Sequence, residues 1–389
     1  MVDAQAPGSA VRALARARRR PPPRERGAIA AGARRILVLK PHDQLGDFVL
    51  ATPAIHALRE RFPEARIALL TRAFLGPLAE RVAALDDVWA LPRVEGARSL
   101  ASLLATVSAV ARFRPDLAFV MNGVSRSKSA DAFAWLSGAR MIVGRSRVFA
   151  GPPPADAPER PGEAALDRSL EDPLYDLDVP VGRASVGEEE RLLDLVRWLG
   201  GTPSPIPQLD LSDADRAAGR ARIDASLQAA QIANRGPIVG LHPGAANELK
   251  CWPLESFVAL GVGLATGSEA PPRLVVFDSP RERGRAAAVV AGLAARDVAA
   301  GLVPASGIGT FAGTVAAIDL LACNDSGVMH IAAAVGVPTV SFHSLGRPAE
   351  WAPHNDRAIA FHAPSGIAAI PVAAALEAVR RVLALAPRG

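Results

Sequence analysis

The chain of 389 residues has only two cysteines, Cys251 and Cys323. They provide no disulfide framework and no zinc-ligand spacing, so cytoplasmic residence is the expectation. Long apolar runs are missing as well. Val328–Phe342 comes closest, but His330 and Pro338 interrupt it, and it is too short to span a bilayer. Residues 1–35 lack the continuous apolar core of a signal peptide. The body of the chain also lacks excess positive charge. Residues 1–35 hold nine Arg against Asp3 and Glu25, a contribution of +7, whereas the whole chain is +5. Residues 36–389 therefore sum to −2, which excludes a basic nucleic-acid-binding body, and no nucleic-acid partner is expected. A Gly-rich turn is absent after the first strand, where His42-Asp43-Gln44 stands instead. That argues against a nicotinamide oxidoreductase.

What is present is an alternation of apolar strand-like and helix-like segments. Half of the residues are hydrophobic, and the length suits two domains. Arg35–Lys40 reads as a β-rich run, followed by the polar loop Pro41–Asp47, a helix over Phe48–Phe62 and a strand over Ala65–Leu70. Further strands are expected at Val88–Leu91, Leu117–Met121 and Met141–Gly144, with helices at Ser99–Arg112, Ala130–Leu136 and Glu188–Leu199. Gly151–Asp172, rich in Pro and acids, reads as a surface loop. After a linker at 200–208, the same alternation resumes, and Val372–Leu385 closes the chain as a helix behind Pro371. Residues 1–33, rich in Arg, Ala and Pro, read as a disordered leader, with electrostatic contact to anionic lipid as the functional alternative. The organisation expected is thus a tail at 1–33, one α/β domain at 34–199, the linker and a second α/β domain at 209–389.

In open α/β sheets, ligands bind beyond the carboxyl ends of the strands. Three places in this chain put chemistry there. Ile318–Cys323 reads as a buried strand ending in Asn324-Asp325-Ser326-Gly327, where a helix begins. Free N–H groups and the positive dipole end make such a terminus an anion site, with the Ser hydroxyl as an added donor. Asp325 suits sugar hydroxyls or loop orientation rather than phosphate. The strand Ile238–Leu241 feeds the loop His242–Ala246, and Lys250 lies beyond it. A lysine ammonium there can neutralise a departing diphosphate. Asp47 enters the helix after the first strand; it fits a helix cap or first-turn acid, or a general base. Lys40 and His42 fit surface charge or ligand contacts, and Asn122 follows a strand end. His242 and His330 have no partner at metal spacing and read as loop-packing residues. Asp176-Leu177-Asp178 and Asp213-Ala214-Asp215 are better explained by capping than by metal. Gly307–Gly313 reads as a loop with a following helix rather than a dinucleotide loop.

Lys40–Pro53, with Leu45-Gly46-Asp47 and Ala51-Thr52-Pro53, resembles the N-terminal signature of the glycosyltransferase family 9 heptosyltransferases. His242-Pro243-Gly244-Ala245 followed by Lys250-Cys251-Trp252-Pro253, and then Asn324–Ala334, resemble that family's two later motifs, in the same order and spacing. The resemblance implies a GT-B fold, two Rossmann-like parallel-sheet domains facing across a cleft. It implies inverting, metal-independent transfer without a cofactor, from ADP-heptose to a lipid-linked lipopolysaccharide core glycan. Asp47 would be the catalytic base. Lys40, Gly46, Asn122, His242, Gly244, Lys250, Asp325, Ser326, Gly327 and His330 would bind substrate. The enzyme would work in the cytoplasm, with the basic tail a candidate for peripheral contact with the inner membrane. Three departures stand out. Cys251 replaces the family's usual Arg or His. Phe277-Asp278-Ser279-Pro280 replaces a Gly-rich loop, and Phe342–Pro348 replaces the usual turn. They bear on the donor and leave two alternatives, a different nucleotide sugar or a non-catalytic sugar-nucleotide-binding relative. The intact Asp47, Lys250 and Asp325 argue against the second.

Overall fold

The computed structural model describes residues 21–42, 44–93, 95–146, 174–182, 186–199, 204, 206–266, 270–280, 284–353 and 357–385. The chain divides into two compact units, Met1–Pro207 and Gln208–Gly389.

The first unit is built on a six-stranded parallel sheet in the order β3-β2-β1-β4-β5-β6. Its strands are β1 (Arg35–Lys40), β2 (Arg66–Arg72), β3 (Asp87–Leu91), β4 (Leu117–Val120), β5 (Met141–Gly144) and β6 (Leu177–Asp178). Ile36 to Leu39 are fully buried, as a strand covered on both faces requires. Leu37, Leu39, Ala68, Leu70, Ala118, Val120 and Ile142 form the core on one side of the sheet.

The second unit repeats this plan with β7 (Ile238–His242), β8 (Arg273–Phe277), β9 (Ala300–Val303), β10 (Leu320–Asn324), β11 (Thr339–His343) and β12 (Ala358–His362). Their order is β12-β11-β10-β7-β8-β9. Numbered within each unit, both sheets read 3-2-1-4-5-6, the doubly wound dinucleotide-binding order. In that order the chain reverses direction across the sheet between the first and fourth strands, and a crevice opens beyond their carboxyl ends. Lys40 closes β1 and Asn122 lies just beyond β4; His242 closes β7 and Asn324 closes β10. Most of the candidate residues therefore fall at the two switch points.

Several local expectations change. The single helix over Phe48–Phe62 is two helices, Leu45–Val49 and Thr52–Arg61. Pro53 cannot donate a backbone hydrogen bond, so the helix restarts there, and the Thr52 hydroxyl donates to the Val49 carbonyl at 2.8 Å. Gly307–Gly313 is almost wholly helical, within Ile308–Val315. Its glycine serves packing: a Cβ on Gly219 of the helix Asp213–Ala229 would lie 1.9 Å from the Gly313 carbonyl oxygen. Ser212 caps that helix in a reciprocal box with Asp215, as expected of an Asp-x-Asp at a helix start. Asp176 instead accepts the Ile142 N–H at 2.7 Å and Asp178 the Ser146 N–H at 2.8 Å, tying β6 to β5. The tail expected to be disordered over residues 1–33 is in part ordered. Pro23–Ala31 is a helix, and Arg26, Ile29, Ala30 and Ala33 are buried. Nine residues with one large apolar side chain are too few to display a period in sequence. Residues 1–20, the loop Gly151–Asp172 and most of the expected linker lie outside the described residues.

Among the described residues no helix is long and apolar enough to cross a membrane, and no group of three or more His, Cys, Asp and Glu is placed to hold a metal. Cys251 and Cys323 are both free and buried.

Candidate functional site

In the first unit, the carboxyl ends of β1 and β4 bring together Lys40, Asp47 and the loop after Asn122. Lys40 is 1% exposed, so it is not a surface charge. Its ammonium donates to the Met121 carbonyl at 3.2 Å, which anchors it across the switch point. Asp47 sits in the first turn of Leu45–Val49, whose N-cap is Gln44, so Asp47 does not cap that helix. It is buried, and burial raises its proton affinity above the ordinary carboxylate range even though the charge of Lys40 acts the other way. His42 receives the opposite push. Burial, with Lys40 adding to it, lowers its pKa to about 3, and its Nε2 lies 3.3 Å from the Ser125 carbonyl. Gly46 lies within the same short helix, where its carbonyl accepts the Leu50 N–H at 2.9 Å.

Asn122 turns inward. It donates to the Tyr175 hydroxyl at 3.0 Å and accepts the Ser127 N–H at 3.1 Å. Tyr175 donates onward to Asp131 at 2.7 Å, and Asp131 pairs with Arg126 at 2.7 Å. These bonds make Asn122 the buried support of the loop after β4.

Glu188, not among the residues expected from sequence, lies near this group. It opens the helix Glu188–Arg197 and is 1% exposed. Burial and the charge of Asp47 raise its pKa to about 7, with Lys40, Arg191 and Arg145 opposing them. It packs on Gly123, where a Cβ would fall 1.4 Å from Oε1. The available signal was the spread of apolar residues. Leu192, Leu193, Leu195, Val196 and Leu199 cover more than one face of the helix, and all are buried. A helix buried nearly all round carries its first-turn acids inside with it.

In the second unit, Asn324 holds the later motifs together. Its side-chain oxygen accepts the Trp252 N–H at 2.9 Å. Its amide donates to the carbonyls of Pro243 at 2.9 Å and Gly244 at 3.3 Å. The end of β10 is thereby fixed to the loop after β7 and to the segment after Lys250. Trp252 is a core residue, with Phe342 4.2 Å and Phe257 5.2 Å away between ring centroids. Arg285, also not anticipated, donates to the Pro243 carbonyl at 3.0 Å and to Glu248 at 3.0 Å, bracing the same loop. Cys251 faces inward, its Sγ 3.6 Å from the Asn247 carbonyl, and brings no charge.

Lys250 reaches Asp325, Nζ to Oδ2, at 2.7 Å. Lys250 is about a third exposed and Asp325 is buried, so the lysine is the movable partner. His343 lies beyond, Nδ1 4.0 Å from the same Asp325 oxygen and Nε2 2.9 Å from the Ser341 hydroxyl. It belongs to the departing Phe342–Pro348 turn, which Ser344 ties to the Leu249 carbonyl at 2.8 Å. Burial lowers the pKa values of His242, His330 and His343 to about 4 each, so all three are neutral at pH 7. Lys250 is thus the one of these groups that brings positive charge to Asp325. Gly327 starts the helix Gly327–Ala334 behind Ser326. Among the described residues the buried Ser326 hydroxyl has no hydrogen-bond partner and does not cap the helix. Ser326, Gly327, Asp325 and Lys250 therefore converge at the carboxyl end of β10, with a donor hydroxyl and a helix N-terminus beside a partly exposed cation.

Residues 177–369 match the model of glycosyltransferase family 9 (heptosyltransferase). The chain is 22% identical over 319 residues to lipopolysaccharide heptosyltransferase 2 of Escherichia coli strain K12, covering 81% of this chain and 84% of that protein. Its fold is that of the glycosyl transferase family 9 crystal structure from Veillonella parvula, with a TM-score of 0.73 at 17% identity over 91% of this chain and 98% of the other. It is also that of the E. coli ADP-heptose lipopolysaccharide heptosyltransferase II, with a TM-score of 0.65 at 19% identity over 90% of this chain and 98% of the other.

Proposed function

Because this chain belongs to glycosyltransferase family 9 and is a glycosyltransferase, we propose that it moves a heptose or a related sugar from an ADP-sugar to a hydroxyl of a lipid-linked glycan of the lipopolysaccharide-core type. Transfer is inverting. Asp47 takes the proton of the acceptor hydroxyl as that oxygen bonds to the anomeric carbon. The bond from the anomeric carbon to the diphosphate breaks in the same step, and the nucleoside diphosphate leaves with both electrons. Lys250, the Ser326 hydroxyl and the Gly327 N–H meet the charge that develops on the leaving group. Asp325 holds Lys250 in place and faces the sugar hydroxyls.

The observation that carries this reading is Asp47 itself, a buried carboxylate at a strand-end switch point whose proton affinity is raised despite a neighbouring lysine. A base with raised affinity takes a proton from an alcohol more readily than an ordinary surface aspartate does. The names of the relatives supply the donor and acceptor classes. The departing Phe342–Pro348 and Phe277–Pro280 turns are the reason that related sugars stand beside heptose.

A donor screen tests this. The chain is incubated with a core-glycan acceptor and, in turn, ADP-heptose, ADP-glucose, UDP-glucose and GDP-mannose, with products detected by mass. An added heptose or hexose from an ADP-sugar is the expected result. ADP is expected to raise the melting temperature where UDP, GDP and NAD do not. Transfer from UDP- or GDP-sugars alone would overturn the donor class, and ADP binding without transfer to any acceptor would favour a non-catalytic relative.

A further inference from the structure

Glu188 is a buried acid without an evident holder. Among the described residues neither of its carboxylate oxygens has a hydrogen-bond partner. A charged carboxylate in that condition is costly, so packing alone does not account for it. Its neighbours are charged and come from several elements: Lys40 from β1, Asp47 from Leu45–Val49, Arg191 from its own helix and Arg145 from beyond β5. Arg145 is committed elsewhere, to the carbonyls of Val179 at 3.1 Å and Arg191 at 2.8 Å and to Asp194 at 3.8 Å. Lys40 is bonded to a neutral carbonyl, and its charge acts on both Asp47 and Glu188. Lys40 is thereby anchored two residues before Gly123, on which Glu188 packs, and its field reaches both buried carboxylates.

Resting on the reading of Asp47 as the base, we propose that Glu188 is its positioning residue: the two carboxylates share Lys40, and the charge on Glu188 sets how tightly Asp47 holds a proton. While Glu188 is protonated, Lys40 balances Asp47 alone and Asp47 is a weaker base. When Glu188 ionises, two negative charges divide one positive charge and Asp47 becomes a stronger base. The proton taken from the acceptor hydroxyl joins this pair during transfer. It returns to solvent before the next turnover, which closes the balance. Gly123 makes the arrangement possible, because a side chain there would occupy the space of the Glu188 carboxylate. Burial raises the Glu188 pKa to about 7, so the setting is expected to change near neutral pH.

The test compares the pH–rate profiles of the wild type and Glu188→Gln between pH 5.5 and 8.5. Turnover of the wild type is expected to rise about two- to tenfold through pH 7. Glu188→Gln, fixed in the uncharged state, should keep the low-pH rate and lose that rise, whereas Glu188→Asp should restore a rise. Reciprocity gives a readout independent of turnover. With glutamate carbon-labelled at Cδ, one residue of the wild type should titrate by NMR at about 7. In Asp47→Asn it should titrate at lower pH, because the repelling charge has gone. Identical profiles for wild type and Glu188→Gln, or a Glu188 titration that ignores Asp47→Asn, overturns the proposal. If Glu188→Gln does not fold, the NMR arm decides alone. Full turnover in Asp47→Asn, with the titration shift intact, would instead overturn Asp47 as the base and leave the coupling standing.

Discussion

Each unit places a lysine and an aspartate at the switch point of the same strand order, and the two pairs are built differently. In the second unit Lys250 bonds directly to Asp325 at 2.7 Å, and the nearby histidines are neutral. The lysine is about a third exposed, so its charge reaches solvent. In the first unit Lys40 is buried and bonded to a carbonyl, and Asp47 and Glu188 both stand in its field with raised proton affinity. The same backbone plan thus carries a partly exposed lysine–aspartate pair in one half and two buried carboxylates near a buried lysine in the other. The difference lies in pairing: Asp325 has a partly exposed lysine within hydrogen-bonding distance, whereas Lys40 is buried and bonded to a carbonyl, and burial raises the proton affinity of Asp47 and Glu188.

The comparison breaks most readily at Asp47. Asp47→Asn keeps the shape and removes the base, so turnover should fall by about 10²–10⁴-fold. ADP affinity should barely change, because the proposed nucleotide contacts belong to the other unit. A wild-type rate in a variant with a wild-type melting temperature would make Asp47 a structural residue. Asn324→Ala comes next. It strips the Trp252 N–H and two carbonyls of their bonds at a buried position. A stability loss of about 2–4 kcal/mol is expected, counted at roughly 1 kcal/mol per bond plus the cost of groups left unpaired. Urea unfolding followed by Trp fluorescence measures it, and a loss under about 0.5 kcal/mol would mean that water replaces the bonds.

Lys250→Ala should weaken ADP binding by about tenfold, equivalent to about 1.4 kcal/mol, and slow transfer as well. The expected loss is modest because the lysine is partly exposed and screened. Unchanged ADP affinity by calorimetry, together with unchanged turnover, would remove Lys250 from the diphosphate site and with it the contrast between the two pairs.

The strands were legible because parallel strands buried on both faces are short continuous apolar runs, and Ile36–Leu39 and Leu320–Cys323 are such runs. The placement of the motif residues was legible because strand ends and helix starts leave polar breaks between apolar runs in this architecture. The interior contacts of polar side chains were not. Nothing in Val120-Met121-Asn122-Gly123 tells that Asn122 reaches Tyr175, 53 residues away. Glu188 was hidden for the same reason: its partners come from β1 and from the helix after it, about 140 residues earlier in sequence, and only the assembled sheet brings them near. The two units differ in this respect. Lys250 and Asp325 lie inside recognisable motifs, whereas Glu188 in the first unit lies outside any.

The smallest effect expected concerns the leader, and it sharpens the separation of the two units. Removing residues 1–20 takes away five Arg and Asp3 but no described contact. The melting temperature should stay within about 1 °C, as for surface changes generally. Attraction to anionic vesicles should weaken at low salt, because such forces are screened within roughly 8–10 Å at physiological ionic strength. Removing residues 1–33 is a different change, since it deletes the helix Pro23–Ala31 and uncovers what Ile29, Ala30 and Ala33 bury. Burial of one isoleucine and two alanines is worth on the order of 2–3 kcal/mol, an upper figure for a real unfolded chain. In a unit of this size that lowers melting by about 5–10 °C. The helix belongs to the first unit, so ADP affinity should be the same in both truncations. If the longer truncation melts with the shorter one, the helix is an ornament on the first unit. If it also loses ADP, the nucleotide site depends on the first unit, and the division of labour drawn between the two switch points fails.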